Sequence, residues 1–173
     1  MKPVCGCAEL GDSAVLDMGS SLYAAEGELS DAALETLDVI KERGGPRWWL
    51  SARRCRECNQ DWLVAQEERQ NDVYCMRRLT SVEANAIVAS DRWPPDFDSY
   101  ESLLEMGARA GRSVRWADPT DSSLEASIEE LVRSRPRIRF SEIARLLSLD
   151  EELARILTTR VAREKGLPIE FGD

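Results

Sequence analysis

Apolar and polar positions along this chain fall into two regimes. Between residues 47 and 79 the pattern has the short period of β-structure. Arg47-Trp48-Trp49-Leu50-Ser51-Ala52-Arg53 forms one run, Asp61–Glu67 another with Trp62 and Val64 at alternate positions, and Val73–Leu79 a third. Glu68–Asp72 is the polar turn between the last two. These predict three short antiparallel strands. Trp48 and Trp49, being adjacent in a strand, face opposite sides of it.

Elsewhere the period is helical. Ser30 reads as an N-cap, Leu29 and Leu34 stand in staple positions, and Ala33, Leu37 and Ile40 share a face, which predicts about three helical turns ended by Gly44-Gly45-Pro46. A second helix starts at Thr80 or Ser81, with Glu83 placed for a capping box, and breaks at Trp93-Pro94-Pro95. Ser99 caps a third, through Leu103, Leu104 and Met106, with Gly107 or Gly111 as its end. Val114-Arg115-Trp116 reads as a short strand. Ser122 and Glu125 form a capping box ahead of Leu124, Ile128, Leu131 and Val132, and Pro136 stops that helix. Two more run from about Ser141 and Asp150. The segment from Ala14 to Ala25 shows no clear period.

Five cysteines and no histidine narrow the chemistry. Four of the cysteines lie in two close pairs, Cys5-Gly6-Cys7 and Cys55-Arg56-Glu57-Cys58. A tight turn presents two thiolates together, and two such turns make a tetrahedral set however long the chain between them. Cys5, Cys7, Cys55 and Cys58 are therefore expected to ligate a structural zinc ion. The second pair, followed by Asn59-Gln60-Asp61-Trp62 and a β-like run, resembles the zinc ribbons as a broad class. The first has one spacer where two are usual, with Gly6 easing the turn. Two other readings stand beside this one. Cys55 and Cys58 could cycle as a redox pair with Arg53, Arg54 and Arg56 lowering their pKa values, or Cys5 and Cys7 could be incidental and no metal bind. Cys75 sits in a strand pattern and reads as a small buried apolar residue.

The expected architecture is α+β. A small antiparallel zinc-ribbon sheet occupies residues 1–79, with a helical insertion over about 8–46 that accounts for the 47 residues between the pairs. A helical connecting region follows at 80–120, then a three-helix module at 121–165 and a tail at 166–173. Phe140–Leu157 resembles a helix-turn-helix of the kind found in bacterial regulators. Ala144 stands where the two helices approach, and Ile143, Leu147, Leu149 and Leu157 stand at the apolar positions. Ser148 replaces the usual turn glycine, and Ala154 a usual Ile or Val. The resemblance implies a second helix with its N-terminal residues on DNA bases. Here those residues are Asp150, Glu151 and Glu152, which repel phosphate.

Charge then weighs on the function. The chain carries −9, with 3 basic against 9 acidic residues in 1–46 and 7 against 5 in 47–79. Such acidity disfavours nucleic acid except at a local patch. The candidate patch is Arg133, Arg135, Arg137 and Arg139. Absent histidine, a phosphate-binding glycine loop and a nucleophile motif, no catalytic constellation assembles. No apolar run is long enough to cross a membrane, and the N-terminus has no signal-peptide core, which predicts a cytoplasmic protein with reduced thiols. The sequence reads as a non-enzymatic protein that recognises another macromolecule, a protein first of all, as an adaptor, regulator or immunity-type inhibitor. DNA binding and thiol redox chemistry are the alternatives.

Overall fold

A computed structural model describes residues 5–17, 33–44, 48–67, 73–109 and 122–168. The chain divides into two compact units, Met1–Leu103 and Leu104–Asp173.

The first unit is built on a five-stranded sheet of β1 (Ser13–Asp17), β2 (Leu37–Gly44), β3 (Trp48–Cys55), β4 (Asp61–Glu67) and β5 (Val73–Leu79). Its order is β1-β5-β4-β3-β2, antiparallel throughout. The last four strands are a simple meander, and β1 closes the far edge by pairing Val15 with Cys75. One face carries Trp62, Val64 and Met76 and is buried with Cys7, Leu10, Ala33, Leu37 and Cys55. The alternate residues of β3, β4 and β5, among them Leu50, Ala52, Leu63, Ala65 and Cys75, form the other buried face. Helix α1 (Ser81–Ser90) packs against β2 and β5 and buries Ala84 and Ile87. Its start is the expected capping box: Thr80 Oγ1 accepts the Glu83 N–H, and Glu83 accepts the Thr80 N–H. Lys41 of β2 donates to the Ile87 carbonyl near the helix end and pairs with Asp91 at 2.7 Å.

Three strands were expected here and all three form, but the sheet gains two more. The predicted helix from Ser30 to Ile40 is corrected. Leu29 and Ser30 lie outside the described residues, 33–35 are helical, and Leu37–Gly44 is strand β2. The misleading signal has a physical source. A β-bulge between Val39 and Lys41 leaves Ile40 without an opposite residue on β3, which breaks the alternation and places Leu37 and Ile40 at helix-like spacing. Gly44 is not a helix stop but the end of β2, where a Cβ would come within 2.6 Å of Trp49 Cδ1. Trp48 and Trp49 do take opposite faces of β3, each half-buried.

Helix α2 (Tyr100–Arg109) begins at Ser99, whose Oγ accepts the Ser102 N–H at 3.2 Å. It passes through Gly107 rather than ending there. The proposed Val114–Trp116 strand lies outside the described residues.

The second unit contains α3 (Ser122–Ser134), α4 (Phe140–Leu147) and α5 (Glu151–Lys165), with α5 packed on both others. Ser122 lies within α3, and the residues before it are outside the described residues. Leu124, Ile128, Leu131 and Val132 are buried, as are Ile143, Ala144, Leu146 and Leu147 and, on α5, Ala154, Leu157, Val161 and Ala162. Asp150 caps α5 by accepting the Leu153 N–H at 2.8 Å. Between α4 and α5, Ser148 adopts φ 52°, ψ 42°, the left-handed conformation that glycine takes without strain. Ser148→Gly is therefore expected to stabilise the chain by about 1 kcal/mol, read as a higher denaturant midpoint at unchanged slope. An unchanged or lower midpoint would contradict this reading of the turn. Among the described residues, no helix is long and apolar enough to cross a membrane.

Candidate metal centre

Two turns at one end of the sheet bring four thiols together. The first is a short 3-10 helix, Gly6–Ala8, in which the Gly6 carbonyl accepts the N–H groups of Glu9 and Leu10. It carries Cys5 at its start and Cys7 inside it. The second is the hairpin loop from β3 to β4. Cys55 ends β3, the Asn59 N–H donates to its carbonyl, and the Cys55 N–H returns to the Gln60 carbonyl, each at 3.0 Å. Reversing the chain so tightly requires a left-handed residue, and Asn59 supplies it at φ 60°. Asparagine tolerates this region better than most non-glycine residues.

The Sγ atoms of Cys5, Cys7, Cys55 and Cys58 all lie within 4.8 Å of one another, a grouping that could hold a metal ion. The four residues singled out in the sequence are thus the four the fold brings together. Cys75 pairs across the sheet with Ala65 and Val15, on the opposite face from Trp62, and lies outside the cluster. Cys55 and Cys7 are buried, Cys5 is partly covered, and Cys58 is exposed.

The donor set asks for a cation. Burial raises the Cys7 thiol well above its usual range, and the neighbouring Cys55 adds to the rise. Cys5 is raised for the same reason, with the Cys58 thiol contributing. Cys55 goes the other way. Burial alone would raise it, but the neighbouring Thr36 hydroxyl and the N–H groups of Cys58 and Glu57 hold it down at about 6; as a thiol it donates to Thr36 Oγ1 at 3.4 Å. Cys55 is thus shifted towards the thiolate while Cys5 and Cys7 are shifted towards the thiol. A bound cation removes that conflict.

Side chains that sequence reasoning passed over hold this arrangement. Arg78 of β5 donates to the carbonyls of Cys7, Leu10 (2.8 Å) and Gly11 (3.1 Å) in the first turn. It also donates to Gln60 Oε1 in the second at 3.0 Å, and its guanidinium lies 4.8 Å from the centre of the Trp62 ring. Thr36 Oγ1 accepts the Cys55 thiol at 3.4 Å and donates to the Ala33 carbonyl at 2.9 Å. The arginines expected to acidify the second pair are engaged elsewhere. Arg53 donates to Ser51, Arg54 is bidentate on Asp61, and Arg56 binds Asp38 and the Glu35 carbonyl. Arg78 stands in a strand run next to Arg77, and nothing in that pattern distinguishes a clasp from a solvated charge. The chain matches no family model, no curated protein and no solved structure.

Proposed function

We propose that Cys5, Cys7, Cys55 and Cys58 bind one zinc ion as a structural site, and that the protein acts by recognising a basic protein partner rather than by catalysis. The convergence of the four sulfurs carries the metal reading. Zn–S bonds of about 2.3 Å put tetrahedral corners roughly 3.8 Å apart, and the sulfurs already lie within 4.8 Å of one another. An all-thiolate set favours soft or borderline metals over magnesium or calcium. Four protein ligands leave no position for a reacting water.

The burial of Cys55 also supports metal over redox cycling. A redox pair attacks through an accessible, low-pKa thiol, whereas here the low-pKa sulfur is 0% exposed and its partner Cys58 is the exposed one. Protein purified under reducing conditions without chelator is expected to carry about one zinc per chain by native mass spectrometry. Metal-free protein with a Cys55–Cys58 disulfide would overturn the proposal in favour of redox chemistry.

For the partner, charge is the guide. Residues 1–103 hold 11 basic against 19 acidic side chains, and 104–173 hold 12 against 13. A zinc unit this acidic attracts a basic surface. Two features of the helical unit speak against DNA. The first turn of α5 and its cap are Asp150, Glu151 and Glu152. Arg133 and Arg135 of the basic stretch sit on Glu129 and Glu142, each at 2.8 Å. The expected result is no salt-dependent DNA shift at low ionic strength. A shift that disappears in an Arg137→Ala, Arg139→Ala double variant would replace the protein reading with a DNA one.

A further inference from the structure

Trp62 is fully buried, and its Nε1–H finds no hydrogen-bond partner among the described residues. A buried indole N–H usually has one, because leaving it unpaired costs the full desolvation of the group. Cys7 and Cys55 share its buried cluster, and Cys7 is the one tied to the same arginine that covers the ring. As a neutral thiol, the Cys7 sulfur is a weak acceptor, and the indole N–H stays unpaired. As a metal-bound thiolate it would be a good one.

Two features hold the indole in place. Val64 and Met76 pack with it in the same buried cluster. The Arg78 guanidinium covers one face of the ring at 4.8 Å, and a cation there draws electron density from the ring and strengthens the N–H as a donor. The same arginine binds the Cys7 carbonyl, so ring and ligand are referenced to one side chain.

We infer that Trp62 is an outer-sphere ligand of the metal centre: its Nε1–H donates to the Cys7 thiolate once the metal is bound, orienting that corner and offsetting its negative charge. This rests on the metal reading above. It also gives a reason for a tryptophan at this position where any large apolar residue would fill the volume.

The test uses the full chain loaded with cadmium-113 in place of zinc, with its tryptophan indoles labelled with nitrogen-15. Metal loading is expected to move one indole N–H downfield and to give it a scalar coupling to cadmium, which only a hydrogen bond to a ligating sulfur transmits. Trp62→Phe keeps the ring and removes the donor. That signal should vanish, and the zinc dissociation constant should rise about tenfold, the low end for losing an outer partner. The coupling is read on the unsubstituted chain, so it decides the matter even if the variant folds poorly. If the chain takes up neither zinc nor cadmium, the metal reading fails and this inference with it. If it takes up one equivalent, yet no indole couples and Trp62→Phe binds zinc within twofold of the parent, the inference alone is overturned.

Discussion

Cys55→Ser is expected to leave the purified protein without its equivalent of zinc and to weaken zinc binding by well over the roughly 10–100-fold that loss of an outer partner costs. Of the four cysteines, this one should have the largest effect. Cys55 is fully buried at the end of β3, it pairs with Leu37 across to β2, and Thr36 and two backbone N–H groups lower its pKa. Serine at this site keeps the size but offers a hard oxygen that holds its proton. The comparison to make is Cys75→Ala, which removes a buried sulfur on the opposite face of the same sheet. Cys75→Ala should retain about one zinc per chain and lose only some stability, about 1–2 kcal/mol for a small cavity. Equal zinc loss in both variants would mean that the metal is held by fold integrity and not by the four-sulfur set.

On the proposed zinc reading, removal of the metal is expected to spare most of the unit. A bare three-stranded ribbon has too little core to stand without its ion. This sheet has five strands and two buried faces, and the face bearing Leu50, Leu63, Ala65 and Cys75 contains none of the four clustered cysteines. Chelation is therefore expected to loosen the two cysteine turns while the strands persist. Hydrogen exchange should rise at Cys5–Leu10 and Cys55–Gln60 and stay slow in β4 and β5. Global exchange of the sheet on chelation would show that the ion, and not the core, sustains it.

How far the sequence reveals this depends on whether a signal is local. The capping box at Thr80 and Glu83, the Asp150 cap and the strand alternation of Asp61–Glu67 each involve neighbours in the chain, and each is legible. The Cys pairs are legible because each turn carries half a site. What escapes is decided across the chain. β1 has little periodicity of its own and exists because its backbone pairs with β5. β2 reads as helix because its bulge at Ile40 erases the period of two, and pairing with β3 overrides the local pattern. Ser148 shows the opposite case. A residue that departs from the expected glycine still takes the left-handed turn, because α4 and α5 on either side of it pack on each other and the backbone strain of one exposed residue is small against that core.

Arg78 is the sharpest instance of a role that only the fold reveals, and Arg78→Ala should have an effect second only to loss of a ligand. The guanidinium joins parts of the chain that are remote in sequence: three carbonyls of the first cysteine turn, the Gln60 side chain of the second, and the Trp62 ring. Its five donors in a planar fork suit this task, and a lysine ammonium has neither the span nor the flat face to stack. Truncation leaves the Cys7 and Leu10 carbonyls without that donor and removes the cover from the indole. Charged hydrogen bonds contribute about 1.5–3 kcal/mol each, and with solvent reaching part of the side chain we expect a total loss of about 3 kcal/mol. Zinc affinity should fall with it, because the metal would have to order the first turn on binding. Arg78→Lys should recover less than half of either loss. Denaturation of the zinc-loaded protein gives the first quantity, and competition against a chromophoric chelator the second. If Arg78→Lys matched the parent in both, only the positive charge would be needed, and the clasp between the two cysteine turns would lose its basis.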